Sequence, residues 1–416
     1  MVILSGLIDM KNNKKKKPIR IAILGLTTSN GNLGCQALTY STYSLLKEIF
    51  KDQSLELYFY ELLSLKALIT LKTRTFKKVY FDGFCDDEIK KTLCFYKNIK
   101  NKIVFAQQYK RIDFCLDFTY GDSFTDIYGQ ERFDTLTGLK RFFIKKGKPF
   151  ILGSQTYGPF NNPINMKTAV EVINDSYEVF ARDKLSYDFV SKNCRTQPIL
   201  TTDVAFFLEY DSTKNKNPKA VGFNPSGLLW NGGYQGKNQF GLSLDYRCFC
   251  KRCIEEIIRH GFQVHLIGHV VDADLSVRDN DCVAITSLHE MFPETIVAPV
   301  FKTPMDAKTY ISSMTFFVGS RMHATIAAIS SGVPVLPFSY SRKFEGLFQT
   351  LDYHHLIHGK DENMDSAIGK VRDALANLDE YKKDIMISSI VISKMKLQML
   401  NSYKDVFKRI ISNIDD

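Results

Sequence analysis

The 416-residue sequence has a single tryptophan and no apolar stretch near the ~18 residues needed to cross a bilayer. A membrane span is therefore not expected. Met1 to Met10 is apolar, but Asp9 interrupts it and its lysines follow it, the reverse of an export signal. Nine cysteines, an odd number without paired spacing, form no disulfide framework and fit reduced thiols in the cytoplasm. Cys248, Cys250 and Cys253 cluster, but no second pair stands at zinc spacing. Thiols of a buried helix are expected there, and no metal site. The GxGxxG dinucleotide fingerprint is missing too, because Gly25, Gly31 and Gly34 have the wrong spacing, so no nicotinamide cofactor is indicated. No RNA- or DNA-binding motif is present, which excludes nucleic acid as an expected partner.

Positive charge, by contrast, is plentiful. The net charge is +10, with concentrations at Lys14-Lys15-Lys16-Lys17 and between Lys66 and Lys78, where Lys72, Arg74, Lys77 and Lys78 lie. Such runs are either solvated surface or contacts for anionic lipid or a phosphorylated substrate.

Short apolar strands alternate with longer amphipathic helices, the pattern of a parallel α/β sheet. The expected strands before residue 210 are Arg20 to Leu26, Leu55 to Tyr60, Phe114 to Phe118, Pro149 to Leu152 and Val179 to Ala181, with helices at Cys35 to Phe50 and Lys184 to Asn193. Tyr210 to Lys219 is polar, aperiodic and contains a proline, as a linker would. The alternation then restarts, with strands Ala220 to Asn224, Gln263 to Ile267, Ile296 to Pro299, Thr315 to Val318 and Val333 to Pro337, and a helix from Asp245 to His260. This predicts two Rossmann-like domains, 20–210 and 220–380, facing a cleft across a linker at 211–219. A basic segment (1–19) precedes them and a helical segment (381–416) follows them. Ligands of open α/β sheets sit beyond the carboxyl ends of strands.

The loops at those ends carry the polar residues. The stretch Phe316-Phe317-Val318-Gly319-Ser320-Arg321-Met322-His323-Ala324 runs from a strand into a helix whose first turn holds a cation and an imidazole. Free N–H groups and the helix dipole favour an anion there. Arg321 adds a planar fork and His323 a proton that moves near neutral pH. Two residues apart on a regular helix, they converge only if Arg321 still belongs to the turn. Asp122, after the strand ending at Phe118, is a base, a hydroxyl ligand or a helix cap. Asn32 and Gln155 lie on two further loops of the first half. Arg182 stands beside Asp183, as in a surface ion pair, His269 follows a strand through Gly268, and Lys343 follows the strand ending at Pro337. A structural histidine and a solvated lysine are the plain alternatives for the last two.

Taken in order, these segments resemble the polysaccharide pyruvyl transferases. The matching elements are Gly31-Asn32-Leu33-Gly34-Cys35-Gln36-Ala37-Leu38, Gly121-Asp122-Ser123-Phe124-Thr125-Asp126-Ile127-Tyr128-Gly129, Gly153-Ser154-Gln155-Thr156-Tyr157-Gly158-Pro159-Phe160, Thr202-Asp203-Val204-Ala205-Phe206, Gly222-Phe223-Asn224-Pro225-Ser226, His265 to His269, and Gly319-Ser320-Arg321-Met322-His323-Ala324. The chain departs from the pattern at Thr119-Tyr120-Gly121-Asp122, where relatives often have a run of glycines. The resemblance implies the two-domain GT-B-like architecture and transfer of pyruvate from phosphoenolpyruvate onto a sugar as a ketal, with no cofactor. By the same resemblance Arg321 and His323 would hold phosphoenolpyruvate and Arg182 would reach it from the other domain. Lys343 and His269 would be further donor contacts, with His323 as general acid. Asn32, Asp122 and Gln155 are the expected acceptor contacts, with Asp122 as base. The acceptor would be a glycan that could be lipid-linked, which would bring a cytoplasmic protein to the inner membrane face. The rival expectation is a GT-B glycosyltransferase whose helix at Arg321 binds the diphosphate of a nucleotide sugar, with Glu345 on its ribose.

Overall fold

The computed structural model describes residues 17–27, 31–51, 53–62, 70–76, 89–95, 106–107 and 109–415, with 61–95 as backbone only. Residues 1–16, which hold most of the first basic run, and Lys77 and Lys78 lie outside the described residues.

Two sheets carry the fold. In the first, strands β1 (Ile19–Leu24), β2 (Leu55–Leu62), β3 (Thr70–Phe76), β4 (Ile89–Phe95), β5 (Phe114–Asp117), β6 (Phe150–Gln155), β7 (Glu178–Ala181) and β8 (Ile199–Leu200) lie in the order β4-β3-β2-β1-β5-β6-β7-β8. β1, β2 and β5 to β8 are parallel, while β3 and β4 extend the edge antiparallel. Thr70–Phe76, expected only as part of a basic patch, is thus a strand. The second sheet holds β9 (Ala220–Asn224), β10 (Gln263–Leu266), β11 (Ile296–Val297), β12 (Phe316–Gly319), β13 (Val335–Ser339) and β14 (Ile357–His358), ordered β11-β10-β9-β12-β13-β14 and parallel throughout. Renumbered from its own start this is 3-2-1-4-5-6, the Rossmann order. Strands such as β9 and β12 read as unbroken apolar runs because helices cover both faces of a parallel sheet; every residue in them is buried.

In each sheet the order reverses at one point, between β1 and β5 and between β9 and β12. Loops leaving adjacent strands there diverge and open a crevice. The two crevices face each other. Residues 31–33 pair with 269–271 across the gap, Leu33 N–H donating to His269 O at 3.0 Å and Val271 N–H to Gly31 O at 2.8 Å. Such closeness needs glycine: a Cβ on Gly31 would lie 1.9 Å from Val271 O.

Residues 211–219 contain no helix or strand and run beside the helix Pro304–Ser312, where Asp211 N–H bonds Thr309 Oγ1. The C-terminal helix is one element, Leu378–Asp415, and does not stay with the second domain. Tyr403 stacks on Phe180 of β7 with centroids 4.0 Å apart, and Phe407 stacks on Phe114 of β5. Of the clustered cysteines, Cys250 and Cys253 are buried in the helix Tyr246–Arg259 with their thiols pushed up by burial, whereas Cys248 is exposed.

Candidate active site

A cleft of about 530 Å³ lies between the two switch points, within the size range of small-molecule sites. The first domain contributes Asn32, Tyr120, Asp122, Tyr128 and Arg132, and the second Tyr234, Gln239, Asp279, Arg321, Tyr340 and Lys343. The Asp122 carboxylate accepts from Lys343 Nζ at 2.9 Å, an ion pair that crosses from domain to domain, and from the Tyr128 hydroxyl at 3.0 Å. Burial alone would raise the Asp122 pKa, but Lys343 and Arg182 outweigh it and hold the carboxyl far below its usual range. In the empty cleft Asp122 is therefore a charged hydrogen-bond acceptor, as a ligand for hydroxyls would be.

Arg182, His323 and His269 do not line the open cavity. Arg182 is not paired with Asp183, which instead caps the helix Lys184–Asn193 through Ser186 N–H. Its Nη1 donates to Asp203 at 2.7 Å and its Nε to Thr156 Oγ1 at 2.8 Å. Gly121 makes room for the guanidinium, since a Cβ there would lie 2.9 Å from Nη1. Across the domain boundary, His323 Nε2 lies 3.9 Å from the same Asp203 oxygen, too far for a hydrogen bond. That nitrogen is buried with no partner, although the His323 side chain keeps 17% of its exposure. A buried polar atom without a partner marks a place where a ligand atom fits.

Burial lowers the His323 pKa to about 4; Asp203 works against this, and Arg182 and Lys343 add to it. The imidazole is therefore neutral near pH 7 in the empty cleft, below the range in which its proton was expected to move. Burial, with His323 and Arg321 nearby, takes His269 to about 3.

Arg321 is the N-cap of the helix Met322–Ser330, with φ −102° and ψ 122°, so it does belong to the turn. Its fork is already filled. Nε and Nη2 donate to Asp281 Oδ1 at 3.0 and 2.6 Å, and Nη1 to Asp279 Oδ1 at 2.7 Å. Asp281, fully buried, also accepts the N–H groups of Gly227, His269 and Val270. Arg321 thus ties β12 to the loop after β10 and presents no free fork, which corrects its expected role as the bidentate donor clamp.

Gln155 is displaced further from expectation. It is fully buried, and its Nε2 donates to the Asp117 carbonyl at 2.9 Å beneath the β5 turn, so it cannot meet an acceptor in the cleft. Asn32 lines the cleft, but its Oδ1 is spent capping the helix Leu33–Ile49 through Gly34 and Cys35 N–H. Glu345, the proposed ribose ligand, lines a separate pocket beside His358. The sequence reading missed Asp203, Asp279, Asp281, Tyr128 and Arg132. Asp203, inside the quoted Thr202-Asp203-Val204-Ala205-Phe206, and Tyr128, inside the quoted Gly121 to Gly129, carried a signal; Arg132, Asp279 and Asp281 carried none.

The sequence pattern of the family described as polysaccharide pyruvyl transferase matches residues 32–342, which span every residue of this site except Lys343, the next one along. The chain belongs to the polysaccharide pyruvyl transferase family. It is accordingly an enzyme of pyruvyl transfer. The amylovoran biosynthesis protein AmsJ of Erwinia amylovora is 21% identical over 368 residues, covering 83% of this chain and 84% of that protein. Among solved structures, HepE of Anabaena in complex with UDP-glucose has a TM-score of 0.51 at 11% identity, over 95% of this chain and 100% of the other. Sucrose-phosphate synthase of Thermosynechococcus elongatus has 0.52 at 10%, over 94% and 100%. UGT73P12 of Glycyrrhiza uralensis has 0.53 at 9%, over 96% and 98%. At such identities they establish the fold alone: two Rossmann-like domains in the GT-B arrangement that this pyruvyl transferase shares.

Proposed function

We infer that the cleft takes phosphoenolpyruvate as donor and transfers its pyruvyl group to two hydroxyls of one sugar, forming a cyclic ketal and releasing phosphate. One observation carries this reading. The charges of Lys343 and Arg182, which belong to opposite domains, both bear on the His323 imidazole, whose Nε2 has no partner. Two cations separated by a proton carrier suit a three-carbon phosphoester with a charge at each end. Lys343 would take the phosphate and Arg182 the carboxylate. In the empty cleft Lys343 is held by Asp122, so the donor's phosphate has to replace that carboxylate.

The reaction begins with a proton delivered to the methylene carbon. The C2 centre becomes oxocarbenium-like, a sugar hydroxyl adds to it and returns a proton to the now neutral His323, and the C2–O bond to phosphate breaks. A second hydroxyl then closes the ketal, its proton leaving on the released phosphate. His323 is the proton donor in this scheme. The donor's negative charge would raise its pKa from about 4, so binding itself would load the acid.

The acceptor is read as a unit of an exopolysaccharide precursor, supported by the amylovoran protein's similarity. A lipid-linked precursor would place the enzyme at the inner membrane face. Among the described residues no helix is long and apolar enough to cross a membrane, so such contact would be peripheral. Liposome sedimentation with anionic vesicles tests that placement, which fails if the protein stays in the supernatant at low salt. The donor is tested by thermal shift with phosphoenolpyruvate against a panel of nucleotide sugars, followed by phosphate release with candidate acceptors. Stabilisation by a nucleotide sugar and not by phosphoenolpyruvate would overturn the reading.

A further inference from the structure

The other cations at the site are matched by carboxylates. Lys343 has Asp122, Arg321 has Asp279 and Asp281, and Arg182 has Asp203. Arg132, at the start of the helix Gln130–Ile144, lines the same cleft and has no carboxylate partner among the described residues. Arg132 is an exposed residue, yet its side chain has partners. Its Nη2 donates to Ser123 Oγ at 2.9 Å, and its guanidinium lies over the rings of Tyr120 and Tyr128, 5.6 and 5.7 Å from their centroids. Two aromatic rings and a hydroxyl hold the guanidinium at this place in the cleft before any ligand arrives.

The chain maintains an unusual backbone to place one of those rings. Thr119 and Tyr120 have φ of 45° and 53°, left-handed values that are strained for a residue with a Cβ. Below them, the Thr119 hydroxyl donates to Asp117 at 2.6 Å and accepts from Lys140 at 2.6 Å, a fully buried network that holds the turn. The neighbouring acid, Asp126, does not neutralise Arg132, because its oxygens accept from the N–H groups of Asn161 and Asn162.

We propose that Arg132, framed by Tyr120 and Tyr128, is an anion subsite on the acceptor side of the cleft, and that the acceptor brings a negative group to it. The chemistry required is a planar or tetrahedral oxyanion attached near the reacting sugar: the carboxylate of a uronic acid or the phosphate of a glycosyl phosphate. The proposal rests on the pyruvyl-transfer reading, which supplies a donor subsite at Lys343 and leaves Arg132 to the acceptor.

The test fills the donor subsite with phospholactate, a reduced analogue that lacks the enol and cannot react. Phospholactate binding is measured first and by itself; if it fails, the donor reading falls, and the Arg132 comparison is then run without it. Three acceptor probes are titrated by calorimetry into the full-length protein and into Arg132→Gln and Arg132→Lys: galactose 1-phosphate, a galacturonate disaccharide and methyl galactoside. At least one anionic probe should bind about tenfold more tightly than the neutral one, the scale of one charge-assisted contact. Arg132→Gln should remove that margin, Arg132→Lys should restore part of it, and neither should change phospholactate affinity. Which anionic probe shows the margin separates carboxylate from phosphate. No preference for the anionic probes, whether because all bind alike or because none binds, overturns the subsite, as does a preference that persists in Arg132→Gln.

Discussion

Gly34 of the first domain presses on His323 of the second: a Cβ at position 34 would lie 2.6 Å from the imidazole Nδ1 and 3.0 Å from Asn32 Oδ1. The glycine is thus part of the seat of the proposed acid. Gly34→Ala should leave the fold intact but push the ring away, lowering kcat at least about tenfold because small displacements of a reacting group are costly. Steady-state phosphate release together with a melting curve checks this. Unchanged kcat in a folded variant would show that the ring need not sit where it does.

His323 and His269 are held neutral, at about 4 and about 3. Both values lie below the ordinary 6.5, so the unfolded chain binds these protons first as pH falls. Their stabilising effect is complete above about pH 6.5 and is lost progressively down to pH 4 and below. Urea unfolding should therefore show stability declining from pH 6.5 to 4, and His323→Gln should flatten part of that slope. An equally steep decline in the variant would contradict the low value.

Donor binding should reverse the shift at His323. At pH 6 to 7, phosphoenolpyruvate should bind with net proton uptake, seen as a dependence of the calorimetric heat on buffer ionisation enthalpy. In His323→Gln the uptake should vanish. Uptake that survives the substitution would place the proton elsewhere.

Asp122 and the donor's phosphate compete for Lys343 in the proposed mechanism. Asp122→Asn removes the competitor, so KM for phosphoenolpyruvate should fall severalfold while kcat drops through loss of an acceptor ligand. A raised KM would mean that Asp122 assists donor binding.

Arg321 was expected from the resemblance to hold the donor, but Arg321→Lys should destabilise the protein by about 3 kcal/mol, because a lysine cannot span two carboxylates in a buried pair. Denaturant titration decides. Wild-type stability with a higher KM would restore the first expectation.

Much of the architecture was legible because buried parallel strands announce themselves. β9 matched residue for residue, and the helix Lys184–Asn193 likewise, since apolar runs and caps are local properties. β3 was missed because Lys72 and Arg74 made it read as a basic patch, and β4, which carries Lys90 and Lys91, was given no reading. At the site, strand-end loops picked out the right neighbourhood, but partners are chosen by the fold. Arg321 meets Asp281 forty residues away in sequence. Gln155 illustrates the opposite failure: it was expected on a loop beyond a strand ending at Leu152, but β6 runs on to Gln155 and its side chain turns to Asp117.

The last helix has a consequence for how the chain can be divided. Because Tyr403 bonds Ser154 and stacks on Phe180, while Phe407 meets Phe50 and Phe114, residues near the C terminus complete the interior of the N-terminal half. A gene cut at residue 210 would leave that half with an open aromatic wound. The polypeptide crosses between the two lobes twice, through residues 211–219 and again along the last helix, so neither lobe has a self-contained interior.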